Sequence, residues 1–395
     1  MTLRRIVVVA SVPVLTAAAL AGIHQQSGAV RPAGSPSATV EPQASGSQSG
    51  VPYLRFDLPT PQATIQGQPI EFPAHELWRP MCSGAVPSQQ EFLESVLAHK
   101  ALSANGGIVV DESHGDAGLN LVYVLSGSIP PGATAAVAAA EAYIQSFFSD
   151  PIIVTINCSF QPLSPGVLGS TASSYGYVSY STARSQMVSD KDASDTIQSW
   201  LPSGTTCPVR YTSGSTVTNE TRVYFTYADW KAVDGTVSGT DANMTFNSNF
   251  AFDYDPSNGV GGSSYSFQDI LIHESGHALG FTSGVDFRFY DMETLDLFRF
   301  QRTDGSGDYN PDTTAEFQVR ARLVAFNAPN DDHNSDLISA EYRMSDGSPY
   351  QASHFREQTA NIGLMDPALA PGETWWPAFF STADVAMFDA VGYDY

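Results

Sequence analysis

The sequence predicts an α+β domain with a mixed β-sheet. Segments with helical and strand-like spacing follow one another in the order helix, strands, helix, strands and a further helix. No internal repeat of fixed period is present in the sequence. The 395 residues suffice for one large domain or two, and a hydrophobic fraction of 42% supplies the side chains for a core.

Two kinds of spacing define the predicted elements. Helical periodicity and stop signals predict helices over 90–100, 133–148 and 192–201. Alternating apolar residues predict strands over 119–124, 152–160, 223–228 and 244–252. The helix over 133–148 has the clearest signals, because it is rich in alanine, follows a Pro-Pro-Gly sequence and stops before Pro151.

The first 50 residues carry targeting and linker signals. Two arginines precede an apolar run over 6–20, which ends in a small-x-small cleavage pattern at Ala19-Leu20-Ala21. We therefore expect residues 1–21 to form a signal peptide. The alternative is an uncleaved membrane anchor, which the short run and its interruption by Pro13 disfavour. Residues 22–50 are rich in Ser, Gly, Pro, Ala and Gln, a composition that predicts a disordered linker.

The charge of the chain excludes one class of partner. Its formal net charge is −23, with only 18 lysines and arginines. Binding to nucleic acid needs clustered cations that neutralise phosphates, so we expect no nucleic-acid partner. An acidic chain with a signal peptide predicts a secreted, extracellular protein, which we expect to be monomeric and free of the membrane once the signal peptide is removed.

A predicted helix after residue 266 carries the most informative motif. Ser266, with Asp269 three residues later, forms a cap pattern at its start, and Gly280 is a stop signal at its end. The motif His273-Glu274-Ser275-Gly276-His277 lies between these two signals. The helix therefore has a defined start and end around the motif.

The spacing of this motif is that of a zinc site. Residues four positions apart lie on one face of a helix, so His273 and His277 can bind one metal ion through their ring nitrogens. Glu274 lies beside them and can take a proton from a zinc-activated water. The pattern is typical of the helix of zinc peptidases.

The third metal ligand lies further along the chain. In the extended form of the motif it would fall at Ser283, whose hydroxyl is a poor zinc ligand. The candidates for this ligand are Asp286, Glu293, His333 and His354.

Three separated motifs together resemble a known family. They are the helix motif with its continuation Ala278-Leu279-Gly280-Phe281, the segment Ser353-His354-Phe355 followed by Leu364-Met365-Asp366-Pro367, and the closing segment 381–393 with its Gly392-Tyr393. In this order they are similar to the leishmanolysin-type branch of the metzincin zinc peptidases. The resemblance extends over about 133–395, although its motifs are a small part of that range.

The resemblance implies a fold, an activity and a set of residues. The fold would be metzincin-like, with a mixed sheet, an active-site helix and a C-terminal helical subdomain. His273, His277 and His354 would bind Zn²⁺, Glu274 would be the general base, and Met365 would be the Met-turn residue beneath the metal. The activity would be endopeptidase cleavage of a protein or peptide substrate.

These motifs complete the expected domain organisation. Residues 133–395 would form the catalytic domain and residues 51–132 an N-terminal segment or pro-segment. The chain departs from the disulfide-rich family in having only three cysteines, Cys82, Cys158 and Cys207. These allow one disulfide, and the sequence leaves the three pairings open.

Two other functions are compatible with these residues. One is a secreted binding or adhesion protein with an inactive metzincin fold, which we would expect to lack Glu274 or a ligand histidine. The other is a zinc hydrolase that acts on a non-peptide amide, which substrate profiling would separate from a peptidase.

Three further hypotheses concern the surroundings of the site. The strand over 244–252 is a candidate sheet edge for a peptide substrate. Cys82 is a candidate latency switch, because a thiolate upstream of the catalytic domain can bind the open coordination position of the zinc ion until the pro-segment is removed. A calcium site is a third hypothesis, with oxygen ligands from Asp253, Asp255, Asn258 and Asp291. The alternative is that these Asp-rich segments are ordinary turns.

Overall fold

The structure is a computed structural model. It describes residues 118–192, 195, 197–209, 218–234, 237–284, 292–298, 344–345, 350–356 and 361–395, together with short strands outside these ranges. Several predictions concern residues outside the described part: the helix over 90–100, the linker over 22–50, Cys82, Asp286, Asp291 and His333.

The described elements confirm an α+β protein. The strands are β1 (Val7–Val8), β2 (Thr64–Ile65), β3 (Gln68–Pro69), β4 (Ile108–Val110), β5 (Asn120–Ser126), β6 (Ile153–Gln161), β7 (Gly169–Ser173), β8 (Tyr175–Ser179), β9 (Cys207–Val209), β10 (Thr218–Glu220), β11 (Arg222–Thr226), β12 (Ala242–Asn247), β13 (Phe252–Asp253), β14 (Tyr265–Ser266), β15 (Phe300–Gln301) and β16 (Asn327–Ala328). The helices are α1 (Ala133–Gln145), α2 (Tyr180–Asp190), α3 (Tyr227–Asp234), α4 (Phe267–Ala278), α5 (Thr294–Leu297) and α6 (Thr382–Val391).

The main sheet is mixed. Its strand order is β1-β4-β5-β6-β12-β7, with β5, β6 and β12 parallel to one another and the pairs β4–β5 and β12–β7 antiparallel. Helix α1 connects the parallel strands β5 and β6, as such a connection requires. Strand β7 ends the sheet on the side of the metal motif.

One face of this sheet supports the motif helix. Alternate residues of β5 are buried, among them Leu121 and Tyr123. Helices α1 and α4 contact each other, and α4 also packs against β7. The Tyr123 hydroxyl lies 2.7 Å from Ser275 Oγ, which ties a central strand to α4 at the centre of the motif.

Most predicted elements of this core are confirmed. The helix over 133–148 is α1, and the strands over 119–124, 152–160 and 223–228 are β5, β6 and β11. The helix predicted over 192–201 is wrong for the described residues of that segment, where Ile197–Trp200 form a 3₁₀ turn. The helix instead precedes it as α2, which Ser179 caps by accepting from the Thr182 N–H.

The predicted edge strand over 244–252 is also wrong. Its first part is β12, which lies between β6 and β7 and is paired on both sides. Its last residue, Phe252, belongs to the separate strand β13. The edge is β7, whose small polar sequence Gly-Ser-Thr-Ala-Ser carries no apolar alternation.

Two features bear on the N-terminal predictions. Strand β1 lies within the predicted signal peptide and pairs with β4. Strand β5 lies within 51–132 and is central to the sheet, so a removable pro-segment would have to end before Asn120.

No helix in the described part of the chain has the length and apolar character needed to cross a membrane. Cys158 and Cys207 are buried, and no disulfide joins them.

Candidate metal centre

Helix α4 presents the two motif histidines on one face. Its start is capped by Ser266, whose hydroxyl accepts from the Asp269 N–H, as the sequence predicts. Its end is set by Gly280, whose φ of +113° favours glycine and which lies against the side chain of Asp229. Between these points every residue of the helix is buried, so His273 and His277 face an interior site.

His354 completes a cluster of three histidines. The ligand-capable atoms of His273, His277 and His354 all lie within 4.8 Å of one another, and all three residues are buried. The Nε2 atoms of His273 and His277 are 3.0 Å apart. The His354 Nε2 atom is buried and has no hydrogen-bond partner among the described residues. A buried, unsatisfied imidazole nitrogen calls for a ligand.

Backbone carbonyls orient the rings. His273 Nδ1 lies 2.7 Å from Leu364 O, His277 Nδ1 lies 2.8 Å from Phe281 O, and His354 Nδ1 lies 3.3 Å from Gln351 O. A carbonyl only accepts, so each Nδ1 carries the proton and donates it. In neutral rings the Nε2 atoms then hold lone pairs, which repel each other at close range unless a cation lies between them.

Burial keeps the rings of His273 and His354 neutral. It lowers the pKa of His273 to about 3 and that of His354 to about 4. For His273, the neighbouring His354 lowers the pKa further, whereas the hydrogen bond to Leu364 opposes the shift. Neutral imidazole is the form that binds a metal, so the environment favours the ligand state at neutral pH.

The donor set fits zinc. Two nitrogens at about 2.0–2.1 Å from one tetrahedral ion are separated by roughly 3.3 Å, which is close to the 3.0 Å between His273 Nε2 and His277 Nε2. Three imidazoles with an open fourth position are a known catalytic zinc arrangement. Each Nδ1–H is also hydrogen-bonded, as metal-binding histidines require.

Glu293, the other candidate ligand that the structure describes, and Ser283 have different roles. Glu293 is the N-cap residue of α5. Ser283, at the position of the extended motif, donates from its hydroxyl to Asp296 Oδ1 and from its N–H to Ser353 Oγ. The His354 segment is thereby joined to the chain that leaves α4. Within the described residues, the histidine triad is the only group of three or more His, Cys, Asp or Glu side chains placed closely enough to hold a metal ion.

Glu274 lies against the edge strand. Its Oε2 is 2.6 Å from Thr171 Oγ1, and its carbonyl is 3.0 Å from the same hydroxyl. A Cβ atom at Gly169 would lie 2.6 Å from Glu274 Oε1, so the missing side chain there leaves room for the carboxylate. The sequence motif predicts the glutamate but not these two partners.

Met365 lies beneath the motif helix. A Cβ atom at Gly276 would lie 2.5 Å from Met365 Sδ, which places the sulfur in direct contact with α4 beside His277. The Met365 carbonyl accepts from the Phe355 N–H at 3.0 Å, next to His354. Met365 thus connects the motif helix with the segment of the third histidine.

Asp384 of α6 holds the turn that contains Met365. Its buried carboxylate accepts from the N–H groups of Leu364 at 2.8 Å, Met365 at 3.0 Å and Ser381 at 2.7 Å. Because the Leu364 carbonyl orients His273, the carboxylate acts on a candidate ligand through one peptide unit. Reasoning from the sequence missed this residue.

Asp269 has partners beyond the helix cap. Its carboxylate accepts from the Trp375 N–H at 2.6 Å and from the Thr374 hydroxyl at 2.8 Å. The first turn of α4 thereby holds a loop far along the chain. That loop forms one wall of a cavity beside His273.

The cavity has a volume of about 260 Å³. Apolar and aromatic side chains form much of its lining, which includes Leu168, Phe250, Ile270, Leu364, Leu369 and Trp375. Two carboxylates, Asp269 and Asp366, also line it. A largely apolar cavity with a few polar groups is the usual form of a ligand pocket.

The described residues proposed for calcium, Asp253, Asp255 and Asn258, form a turn. Asp255 caps the 3₁₀ turn Pro256–Asn258 by accepting from the Ser257 N–H, and the Asp255 N–H donates to Asp253 Oδ1. These hydrogen bonds are those of an ordinary Asp-rich turn.

No family model matches the chain, and no curated protein or solved structure is significantly similar to it.

Proposed function

We propose that this chain is a zinc-dependent endopeptidase with a metzincin-like fold. The convergence of His273, His277 and His354 on one buried point, beside Glu274 of the same helix, is the observation that supports this function best. The two N-terminal arginines and the apolar run after them support secretion.

The chemistry follows from the groups at this point. A bound zinc ion would supply Lewis-acid chemistry, polarising a carbonyl group and lowering the pKa of a water molecule to about 7. Glu274 would accept a proton from the attacking water on its carboxylate and return it to the leaving amine nitrogen as the C–N bond breaks. His273, His277 and His354 would hold the ion through Nε2.

Two surfaces near the site suit a peptide. Strand β7 contacts Glu274 through Thr171, and its outer edge would align an extended substrate as an added strand. The cavity beside His273 would take one apolar side chain of that substrate. The substrate edge thus moves from the predicted strand over 244–252 to Gly169–Ser173.

Cleavage of a mixed peptide library by the purified secreted protein tests the function. The matched variant is Glu274→Gln, which keeps the size of the side chain but cannot act as a base. We expect cleavage by the wild type and a rate at least ~100-fold lower for the variant. Equal cleavage by both proteins would overturn the proposal. Cleavage of non-peptide amides alone, or zinc binding without cleavage, would support the two alternative functions.

A further inference from the structure

Strand β7 faces the motif helix with alternate small residues. Gly169, Thr171 and Ser173 are two positions apart, so their side-chain positions share one face of the strand. Gly169 lies against Glu274, Thr171 binds Glu274, and Ser173 donates to the His277 carbonyl at 3.1 Å. This face follows the helix along one turn of the motif.

The Thr171 hydroxyl has an unusually specific relation to Glu274. The hydroxyl has one proton, and an ionised carboxylate and a carbonyl only accept. The contact to Oε2 is 2.6 Å, within the range of about 2.5–2.7 Å for a charge-assisted O–H···O⁻ bond, whereas the contact to the carbonyl is 3.0 Å. The Thr171 hydroxyl therefore donates its hydrogen bond chiefly to the carboxylate rather than to the carbonyl.

The other carboxylate oxygen is restrained by shape. Oε1 lies 2.6 Å from the position that a Cβ atom of residue 169 would take, and the Ile270 side chain lies 3.0 Å from the same position. Thr171 and Gly169 are both buried, and both belong to β7, which is held in place by its pairing with β12. The edge strand thus fixes Glu274 by a donor on one oxygen and a fitted slot around the other.

We propose that Thr171 is a positioning residue for Glu274. This inference rests on the proposed function for its catalytic meaning, but its structural content is independent of zinc. Without the hydroxyl, the buried carboxylate would lose a charge-assisted hydrogen bond and would turn away from β7. A general base that is misplaced by about 1 Å loses on the order of 10²-fold in rate.

The test compares Thr171→Val with Thr171→Ser. Valine keeps the shape of threonine but has no hydroxyl, whereas serine keeps the hydroxyl. Thr155→Val, on the central strand β6, controls for the cost of the same substitution in this sheet. The measurements are kcat and KM, the zinc content, the melting temperature and a metal-free crystal structure of each variant.

We expect T171V to lower kcat about 10- to 100-fold with KM and zinc content unchanged, and T171S to restore most of the rate. In the metal-free crystal, the Glu274 carboxylate should move by about 1 Å or more in T171V and stay in place in T171S. An unmoved carboxylate in T171V, or a rate equal to that of wild type, would overturn the inference. Should T171V not fold, Thr171→Ala provides the same comparison.

The outcomes also separate this inference from the proposed function. An inactive wild type would refute the peptidase, while the position of Glu274 in the metal-free crystals would still decide the role of Thr171. An active wild type with an unmoved Glu274 in T171V would retain the peptidase and refute the positioning role.

Discussion

The sulfur of Met365 lies directly against Gly276 of the motif helix. A Cβ atom at this glycine would be 2.5 Å from Sδ, 3.1 Å from the Met365 methyl carbon and 3.3 Å from the ring of Phe388. All three residues lie in the buried part of the chain, so neither neighbour can move into solvent. The glycine in the middle of the motif therefore sets how closely the turn at Met365 approaches the histidines.

This contact predicts the effect of Gly276→Ala. Alanine is the better helix former by about 1 kcal/mol, but the added methyl group would overpack the core at a cost of about 1–3 kcal/mol. We expect a lower melting temperature and weaker zinc binding. The matched control is Gly262→Ala, because a Cβ atom there has no heavy atom within 4 Å. A stabilised G276A variant would show that Met365 is not packed as described.

Substitution of Asp384 should weaken metal binding from a distance. Asp384→Asn replaces one of the two oxygens that accept from the N–H groups of Leu364 and Met365 with a donor. This loosens the turn whose Leu364 carbonyl orients His273. Outer partners of metal ligands typically contribute 10- to 100-fold in affinity, so we expect a loss of about that size in zinc competition assays. Asp255→Asn on an exposed turn should leave the affinity unchanged. Equal affinities for both variants would contradict the link.

Trp375 should control the preferred substrate side chain. It forms a wall of the cavity beside His273, while its neighbour Trp376 does not line the cavity and is 44% exposed. Trp375→Ala would widen the cavity, so we expect about 10-fold lower kcat/KM for the best apolar side chain and a shift toward bulkier ones. Peptide-library profiling of both tryptophan variants measures this. An identical shift in Trp376→Ala would exclude a specific role for the cavity.

Asp150 should make stability decline with rising pH. Burial, followed by the charge of Asp394, raises its pKa from 3.8 to about 8. The folded protein then holds a proton that the unfolded chain releases above about pH 4. The contribution of Asp150 to the free energy of unfolding is therefore fully present below about pH 4 and is lost as the pH rises through 8.

The matched measurement is denaturant unfolding of Asp150→Asn from pH 4 to 9. Asparagine cannot ionise and keeps an acceptor for the Asp394 N–H, which lies 3.1 Å from Asp150 Oδ2. We expect the variant to be more stable than wild type by about 1–3 kcal/mol at pH 9, and the two to converge toward pH 4. A difference that does not change with pH would show that Asp150 does not titrate in this range.

The sequence predicts well where local pattern decides structure. Strand β5 and helix α1 follow from alternation, alanine content and stop signals, and Ser266 and Gly280 mark the ends of α4. Strand β7 has no such pattern, because its sequence is small and polar and its strand conformation depends on pairing with β12. Tertiary pairing, rather than intrinsic preference, makes it the sheet edge.

The supporting groups of the site are hidden for a related reason. Asp269 contacts a residue 106 positions away, and Thr171 contacts one 103 positions away. Spacing along one element reveals His273 and His277, which lie one turn apart. It cannot reveal a hydrogen bond between elements that meet only in the folded chain. Among the candidate third ligands, only the resemblance of its segment to a known motif favours His354.

The most direct test is calorimetric titration of the metal-free protein with zinc, run beside His354→Ala and His333→Ala. The three-histidine site predicts one zinc ion per chain, binding at least ~100-fold weaker in H354A, and unchanged binding in H333A. The absence of saturable binding by the wild type, or equal binding by wild type and H354A, would contradict the proposed metal centre.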